Sequence, residues 1–274
     1  MIEIPEAIVL AKQINETVVG KRISNVIAAQ SPHKFAWYYG EPEGYKKRLI
    51  GKILNGASSI GGYVEIIAED VVILFGDGIN LRLHSENEKI PLKHQLLIEF
   101  EGNTAISASV QMYGGLWCFK MGQFDNLYYL NAKEKKSPIS DDFSREYFNS
   151  IISKPGVDKV SAKALLATEQ RIPGLGNGTL QDILFNAKVH PKKKVNSFSE
   201  QDKEALYFSI KSTLKEMTLQ GGRDTERDLF GNYGSYKTKL SKNTVNKQCT
   251  VCGSTIVKEA YLGGSIYFCP CCQE

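Results

Sequence analysis

The sequence has no apolar run approaching the length of a membrane span, and its hydrophobic content of 42% is ordinary. Its first residues lack the basic, apolar and small-residue pattern of a signal peptide. It also lacks internal repeats and low-complexity tracts. These absences predict a soluble protein of a reducing compartment, the cytoplasm, without a membrane partner. A length of 274 residues is enough for one large domain or two modest ones.

Cysteine is scarce, with six residues in the chain, but four of the six form two pairs near the C-terminus. Cys249-x2-Cys252 and Cys269-x2-Cys272 are separated by sixteen residues. Two such knuckles bring four thiolates to one tetrahedral ion, and an all-sulfur site favours structural Zn²⁺. Two disulfides are the alternative, which the missing signal peptide disfavours. Cys271 competes for the fourth position, but the two-residue spacing favours Cys272.

Charge is unevenly distributed along the chain. Residues 1–134 contain 13 Lys and Arg against 15 Asp and Glu, whereas residues 135–274 contain 21 against 15. Residues 229–248 include no acid but carry Lys237, Lys239, Lys242 and Lys247. This asymmetry is typical of a polyanion-binding face, most often for nucleic acid. A solvated lysine-rich surface is the alternative.

Hydrophobic periodicity divides the chain into a β-rich first half and a helical second half. A helix is predicted from Pro5 to Val18, with proline in the first turn and apolar residues on one face. Short β-rich runs separated by turn residues follow at 23–29, 64–68, 71–75, 95–100 and 104–110. They predict an antiparallel sandwich or barrel that ends near Leu130.

A polar, charged segment then marks a linker, and the period becomes helical. Helices are predicted over 142–153, 161–167, 179–187 and 199–218, with Ser161 and Ser199 as N-caps. The predicted fold class is α+β. Its predicted parts are an N-terminal β-sandwich with a helix (1–131), a linker (132–138), a helical domain (139–228) and a four-cysteine hairpin (229–274).

The segment 171–179, Arg-Ile-Pro-Gly-Leu-Gly-Asn-Gly-Thr, is a compact double turn between two predicted helices. Its glycines permit close backbone approach, and the free amides of the next helix suit a phosphate. A dinucleotide-binding loop is excluded, because no strand precedes the segment and Thr179 occupies the third glycine position. A plain helix-turn-helix corner is the other alternative.

The context of this turn carries a family resemblance. Residues 162–166, 172–177 and 182–191 together resemble the helix–two-turns–helix of the formamidopyrimidine-DNA glycosylase/endonuclease VIII family. The opening Glu3-Ile-Pro-Glu6 and the four-cysteine hairpin resemble the same family, in the same order along the chain. The resemblance implies a monomeric, bilobal protein of base excision repair, associated with the prokaryotic nucleoid. Its partner would be double-stranded DNA with a damaged or abasic nucleotide.

When the family's phosphate-binding residues are matched to this sequence by position, the resemblance implies that Lys163 and Asn177 bind phosphates beside the lesion. Backbone amides near Gly176 and Gly178 would assist them. An ammonium and an amide donor both suit phosphate oxygens. The family's intercalating Arg-Phe pair aligns with Met112 and Tyr113, which makes Tyr113 a candidate DNA contact. The family's intercalating methionine aligns with Asp77.

Three positions depart from the family pattern. Ile2 stands where the family has the proline that attacks the sugar and forms a Schiff base, and its bulk should hinder removal of Met1. Gly62 stands in place of a lysine, and Gly264 in place of the hairpin arginine. We therefore expect weak or absent AP-lyase activity.

Glu3 and Glu6 remain as candidate catalytic residues. A carboxylate beside the N-terminus can activate water for glycosidic hydrolysis. The alternative is that both only favour the positive end of the first helix. Two functions follow: a DNA N-glycosylase that hydrolyses the bond of a flipped lesion base, or an inactive homologue that binds damaged or abasic DNA. RNA binding is a weaker third reading.

The loop 221–231 lies where the family contacts the everted base. Four of its side chains are candidates for reading a base edge: Arg223, Asp224, Arg227 and Phe230. The lesion itself is not identified by the sequence.

Overall fold

The computed structural model describes residues 1–86 and 88–274, and its first element is helix α1, Ile4–Thr17. Helix α1 starts with a capping box, in which the Glu3 side chain accepts from the Glu6 backbone and the Glu6 side chain accepts from the Glu3 amide. Pro5 occupies the first turn, where its missing N–H costs nothing. The predicted helix is thus confirmed, one residue earlier at each end.

Seven strands form one sheet. In chain order they are β1 Ile23–Ala28, β2 Ala36–Trp37, β3 Leu54–Ile60, β4 Tyr63–Ala68, β5 Val71–His84, β6 Leu96–Phe100 and β7 Thr104–Lys120. The strand order is β1-β6-β7-β5-β4-β3, antiparallel throughout, and β2 pairs with β7 in parallel. Two short helices accompany the sheet, α2 Gly44–Leu49 and α3 Leu127–Glu134.

Strands β5 and β7 are much longer than predicted, because the chain passes through glycines without turning back. Asp77 pairs with Gly114 and Ile79 pairs with Val110, so residues 111–113 of β7 stand opposite the single residue Gly78 of β5. This bulge in β7 lets both strands bend and continue. Asp77 has φ +63°, and a Cβ at Gly78 would lie 2.6 Å from the Tyr113 carbonyl oxygen. Close approach of two backbones therefore requires glycine at this point.

The bend lets both halves of the sheet contribute to one core, as expected of a sandwich. Val64 and Ile73 from one half pack in the same cluster as Ile98 and Ile106 from the other. Helix α1 supplies buried apolar side chains to this cluster as well. Leu229, far away in sequence, also belongs to it and is fully buried.

The second half of the chain is helical, as predicted. Its helices are α4 Arg145–Ile152, α5 Ala162–Ala167, α6 Thr179–Asn186 and α7 Glu200–Leu219. Ser161 caps α5 by accepting from the Ala164 amide, and Ser199 accepts from the Asp202 amide at the start of α7. A C-terminal hairpin consists of β8 Val257–Tyr261 and β9 Gly264–Phe268.

The chain divides into two compact units. The first comprises Met1–Lys133 and Gln220–Ser235, and the second comprises Glu134–Leu219 and Tyr236–Glu274. The stretch 220–235, which sequence analysis assigned to the helical and hairpin parts, therefore belongs to the first unit. Helix α3 covers the start of the predicted linker. None of the helices among the described residues is long and apolar enough to span a membrane.

Candidate functional site

The N-terminal segment of the first unit contains a buried cluster of ionic side chains. Glu3, Glu6 and Arg223 are 3%, 5% and 2% exposed. Arg223 donates two hydrogen bonds to Glu6, from Nε to Oε1 at 2.9 Å and from Nη2 to Oε2 at 2.8 Å. Its Nη1 lies 3.4 Å from Oε1 of Glu3. The two predicted catalytic carboxylates thus share one guanidinium.

Local backbone structure positions each member of the cluster. The capping box of α1 orients Glu3 and Glu6 toward the helix start. Arg223 follows Gly221 and Gly222. Their φ angles of +74° and +97° are accessible to glycine and let the chain turn between the end of α7 and the loop. The Arg223 amide donates to Oε1 of Glu6 at 3.3 Å, and its Nη2 donates to the Met1 carbonyl at 3.3 Å.

The cluster is electrostatically asymmetric. Burial disfavours a charged guanidinium, but the carboxylates of Glu3 and Glu6 outweigh this effect and raise the pKa of Arg223 above its ordinary value. With both carboxylates ionised, one positive charge faces two negative ones. The Met1 ammonium forms a separate ion pair with Glu226.

Ile2 is buried beside this cluster. Its side chain is 6% exposed and belongs to the apolar core of the first unit, and its amide donates to the Asp77 carbonyl at 2.7 Å. Burial raises the pKa of the Asp77 carboxyl. Position 2 therefore holds a packed apolar side chain. Gly62 lies in the two-residue turn between β3 and β4, where Ile60 pairs with Tyr63.

Tyr113 lies on β7 next to exposed apolar side chains. Its ring contacts that of Trp37 at 5.7 Å between centroids, and both Trp37 and Met112 are exposed. Burial raises the pKa of Tyr113, with Asp77 and Glu3 as further contributors. Tyr113 is thus close enough to the N-terminal cluster to be influenced by its charge.

The candidate base-reading residues of the loop 221–231 occupy different environments. Arg223 is buried with its guanidinium on Glu3 and Glu6, which is not the surface position expected of a residue that reads a base. Arg227 is bonded to the Tyr233 hydroxyl and the Gly231 carbonyl, and lies over the Tyr233 ring. Phe230 is 40% exposed. Whether these residues contact DNA stays a prediction.

In the second unit, Lys163, Asn177 and Gly264 converge. Lys163 Nζ donates to the Tyr261 carbonyl at 2.5 Å, and Asn177 Nδ2 donates to the Ser265 carbonyl at 3.0 Å. A Cβ at Gly264 would lie 3.4 Å from Lys163 Nζ and 3.8 Å from Asn177 Oδ1. We call these three residues the notch.

The members of the notch differ in exposure. Lys163 is 4% exposed, and burial lowers the pKa of its ammonium, whereas Asn177 is exposed. Gly176 and Gly178 flank Asn177 at the start of α6 and are half-buried, and Lys237 is exposed. A contact of any of these residues with phosphate remains a prediction.

Four cysteines of the second unit form a group that could hold a metal ion. The sulfurs of Cys249, Cys252, Cys269 and Cys272 all lie within 4.8 Å of one another. Cys252 and Cys269 are 3.4 Å apart, and Cys249 and Cys272 are 3.9 Å apart. Sulfurs at about 2.3 Å from a tetrahedral Zn²⁺ would be roughly 3.8 Å from each other. Cys271 is exposed and is not part of the group.

Sequence reasoning missed three elements of these sites. The pairing of Arg223 with Glu6 crosses 217 positions, and no local pattern signals it. The same holds for the Met1–Glu226 pair, across 225 positions. Gln181 ties α6 to the hairpin by donating to the Ser265 carbonyl and accepting from the Tyr267 amide. The signal available in the sequence was a glutamine among the apolar residues of α6.

Comparisons with known proteins agree with this architecture. A profile described as the formamidopyrimidine-DNA glycosylase H2TH domain matches residues 135–228. The formamidopyrimidine-DNA glycosylases of Cytobacillus firmus and of Lactococcus lactis subsp. lactis are 25% and 27% identical, over 100% of this chain and 100% of each relative. A solved complex between the Lactococcus lactis Fpg and DNA with an abasic site has a TM-score of 0.84 at 24% identity, covering 99% of both chains.

Proposed function

Because the chain belongs to the formamidopyrimidine-DNA glycosylase/endonuclease VIII family, we propose that it is a DNA N-glycosylase of base excision repair. Its substrate is double-stranded DNA that carries a damaged base. We further propose that it acts as a monomer in the cytoplasm, at the nucleoid. The relatives' name and the abasic DNA bound by the Lactococcus lactis Fpg support the choice of substrate.

The observation that carries the mechanism is the placement of Glu3 beside a packed Ile2. The resemblance assigns position 2 to a proline whose secondary amine attacks C1′. Here an apolar side chain is buried at that position, whereas the Glu3 carboxylate stands next to it in the ionic cluster. Hydrolysis therefore replaces covalent catalysis in our proposal.

The bond changes of this step balance without a cofactor. The lesion nucleotide is flipped out of the duplex, and a water oxygen bonds to its C1′ while the N-glycosidic bond breaks. Glu3 takes a proton from that water, and the departing base keeps the electron pair of the broken bond and takes up a proton from solvent, after which Glu3 returns its proton to solvent. The negative charge of Glu3 also stabilises the cationic character of the sugar in the transition state.

AP-lyase activity is weak or absent in this proposal. A lyase step needs an amine that forms a Schiff base, and position 2 supplies none. The positions of the family's lysine and hairpin arginine are Gly62 and Gly264, so no cation at either one stabilises charge on the sugar-phosphate. The product is then an intact strand with an abasic site.

We propose that Zn²⁺ occupies the four-cysteine group with a structural role. Four sulfurs satisfy its tetrahedral preference, which leaves no open position for a water or a substrate. The group would fix the two knuckles at the base of the β8–β9 hairpin.

A lesion panel tests the proposal. Duplexes with different damaged bases are incubated with the protein, and the strands are examined before and after hot alkali. We expect base release that appears as cleavage only after alkali, no release by Glu3→Gln, and little borohydride crosslink to abasic DNA. Efficient crosslinking would contradict the hydrolytic mechanism. Tight binding to abasic duplex without release from any lesion would favour an inactive binding protein.

A further inference from the structure

The ionic cluster of the first unit contains two carboxylates and one guanidinium, so its charges do not cancel. Two carboxylates, Glu3 and Glu6, are nearly inaccessible to solvent and share the start of one helix. Like charges so close in a buried site cannot both stay ionised unless a cation compensates. The groups close to Glu3 include Glu6, Arg223 and Tyr113, and the Met1–Glu226 ion pair lies in the same N-terminal segment.

Arg223 is the cation that meets this need. Its two short bonds go to Glu6, and its contact with Glu3 is longer, at 3.4 Å. The Met1 ammonium is engaged by Glu226, so it is not the counter-charge for Glu6. One guanidinium therefore neutralises Glu6 and leaves one net negative charge to the Glu3–Glu6–Arg223 cluster.

We propose that Arg223 is a positioning residue that keeps the Glu3 carboxylate ionised and oriented by taking up the charge of Glu6. This inference rests on the proposed function, in which an ionised Glu3 activates the attacking water. Arg223 itself touches no reacting atom. Its guanidinium also donates a hydrogen bond from Nη2 to the Met1 carbonyl, so the same side chain positions the backbone that precedes Glu3.

The proposal differs from a purely structural role in its dependence on pH. Removing an opposite charge at this distance raises the pKa of a carboxyl by about 1 to 3 units. In Arg223→Gln, Glu3 and Glu6 lose the guanidinium that both contact, so we expect the Glu3 carboxyl to titrate at a higher pH. Adding Glu6→Gln removes the repelling charge and returns the titration of Glu3 toward the wild-type value.

Titration of the free protein by NMR, with ¹³C-carboxyl-labelled glutamate, measures this effect without any substrate. The Glu3 resonance is assigned by its loss in Glu3→Gln. We expect the Glu3 pKa to rise by about 1 to 3 units in Arg223→Gln and to return in Arg223→Gln/Glu6→Gln. An unchanged Glu3 titration in Arg223→Gln, or a rise that the double variant does not reverse, overturns the proposal.

Two further variants keep the test decisive if Arg223→Gln fails to fold. Glu6→Gln alone leaves Arg223 with Glu3 as its single carboxylate partner in the cluster, so the Glu3 pKa should fall below the wild-type value. Arg223→Lys keeps the charge but loses the fork, and should leave Glu3 ionised at neutral pH. Movement of the Glu3 titration in the opposite direction in Glu6→Gln contradicts the proposal.

Single-turnover base release against pH links the inference to activity. The acid limb of the profile should move upward in Arg223→Gln and back in the double variant, whereas a structural defect would lower the rate at every pH equally. Absence of base release by the wild-type protein would refute the proposed function, and the NMR titration would still decide the role of Arg223.

Discussion

At the scale of the residue, the notch formed by Lys163, Asn177 and Gly264 lacks a side chain at position 264. We expect this lack to affect how tightly the protein binds DNA. Lys163 and Asn177 both donate to carbonyls of the β8–β9 hairpin, so their donors converge on one small region. Gly264 contributes no side chain to that region. The notch thus combines two phosphate-suited donors with a position that is open to substitution.

Lys163→Met should weaken binding to all duplexes by about tenfold, or about 1.4 kcal/mol, because phosphate contacts carry little sequence information. The slope of log K against log salt should become shallower by about 0.9, the value for one neutralised phosphate. Fluorescence anisotropy at several salt concentrations measures both. Asn177→Ala should weaken binding with little change in slope. Unchanged affinity in both variants would show that the notch is not used.

Gly264→Arg should strengthen DNA binding, because it adds a cation next to Lys163. Its φ is not in the left-handed region, and the nearest atom to a new Cβ is Lys163 Nζ, at 3.4 Å, which is the far end of a long side chain. The salt slope should steepen by about 0.9. Ala260→Arg is the matched control, since it places the same charge at an exposed position of the same hairpin. An equal gain in both variants would indicate a general charge effect.

At the scale of the element, we expect the C-terminal hairpin to depend on the four-cysteine group, whose members lie at both of its chain ends. Two of the cysteines, Cys249 and Cys269, belong to its apolar cluster with Ile256, Leu240 and Phe185, and Ile266 and Phe268 of β9 are buried as well. Where the ligands of a structural metal come together only in the folded chain, the free energy of metal binding contributes to the free energy of folding. The order of β8 and β9 should therefore depend on the ion, and with it the position of the Tyr261 and Ser265 carbonyls.

Cys252→Ser should lose the bound zinc together with the order of the hairpin. Elemental analysis gives the zinc content, and amide hydrogen exchange reports the order of residues 257–268. Cys271→Ser is the control, because Cys271 is exposed and lies outside the group of four. Wild-type protein without zinc, or disulfides found by mass spectrometry, would refute the zinc proposal.

The elements also show how far sequence reasoning reaches. Helices α1 and α4 to α7 were predicted because each carries a cap or an apolar stripe in its own sequence. Strand β3 was missed, since Leu-Asn-Gly-Ala-Ser-Ser-Ile has little β propensity and is held by its pairing with β4. Strands β5 and β7 were predicted too short because glycines look like turns in a sequence, whereas here they lie inside continuous strands beside a bulge at residues 111–113.

The sites follow the same rule. The four cysteines were predicted as one group because their spacing alone brings them together, and the structure places them within 4.8 Å. The partner of Glu6 was not predicted, since Arg223 is 217 positions away and the loop that carries it suggested contact with a base. A site whose ligands are closely spaced can be predicted from the sequence, whereas an ion pair between distant residues is known only once the fold is known.

At the scale of the whole molecule, the first unit is assembled from two distant stretches of chain. Residues 220–235 contribute Leu229 to the core and Arg223 to the ionic cluster. The Leu229 carbonyl accepts from the Leu83 amide, and its own amide donates to Gln13. A core that lacks this stretch would expose apolar surface and leave Glu3 and Glu6 without their guanidinium.

A fragment of residues 1–133 should therefore be unstable, whereas 1–133 joined by a flexible linker to 220–235 should fold cooperatively. Loss of a buried charge partner costs about 3 to 5 kcal/mol, a large part of a domain's stability. Urea unfolding followed by circular dichroism compares the two fragments. Equal stability would mean that the stretch 220–235 is not needed for the core.

This split has a consequence for the order of events during synthesis. The carboxylate of Glu6 leaves the ribosome 217 residues ahead of the guanidinium that will pair with it. At about 5 to 20 residues per second, this interval is roughly 10 to 40 s. During this interval the first unit lacks Leu229 in its core and Arg223 in its ionic cluster, while the helices of the second unit emerge. Arg223, which we propose positions Glu3, is thus also the last of the three residues of the ionic cluster to be synthesised.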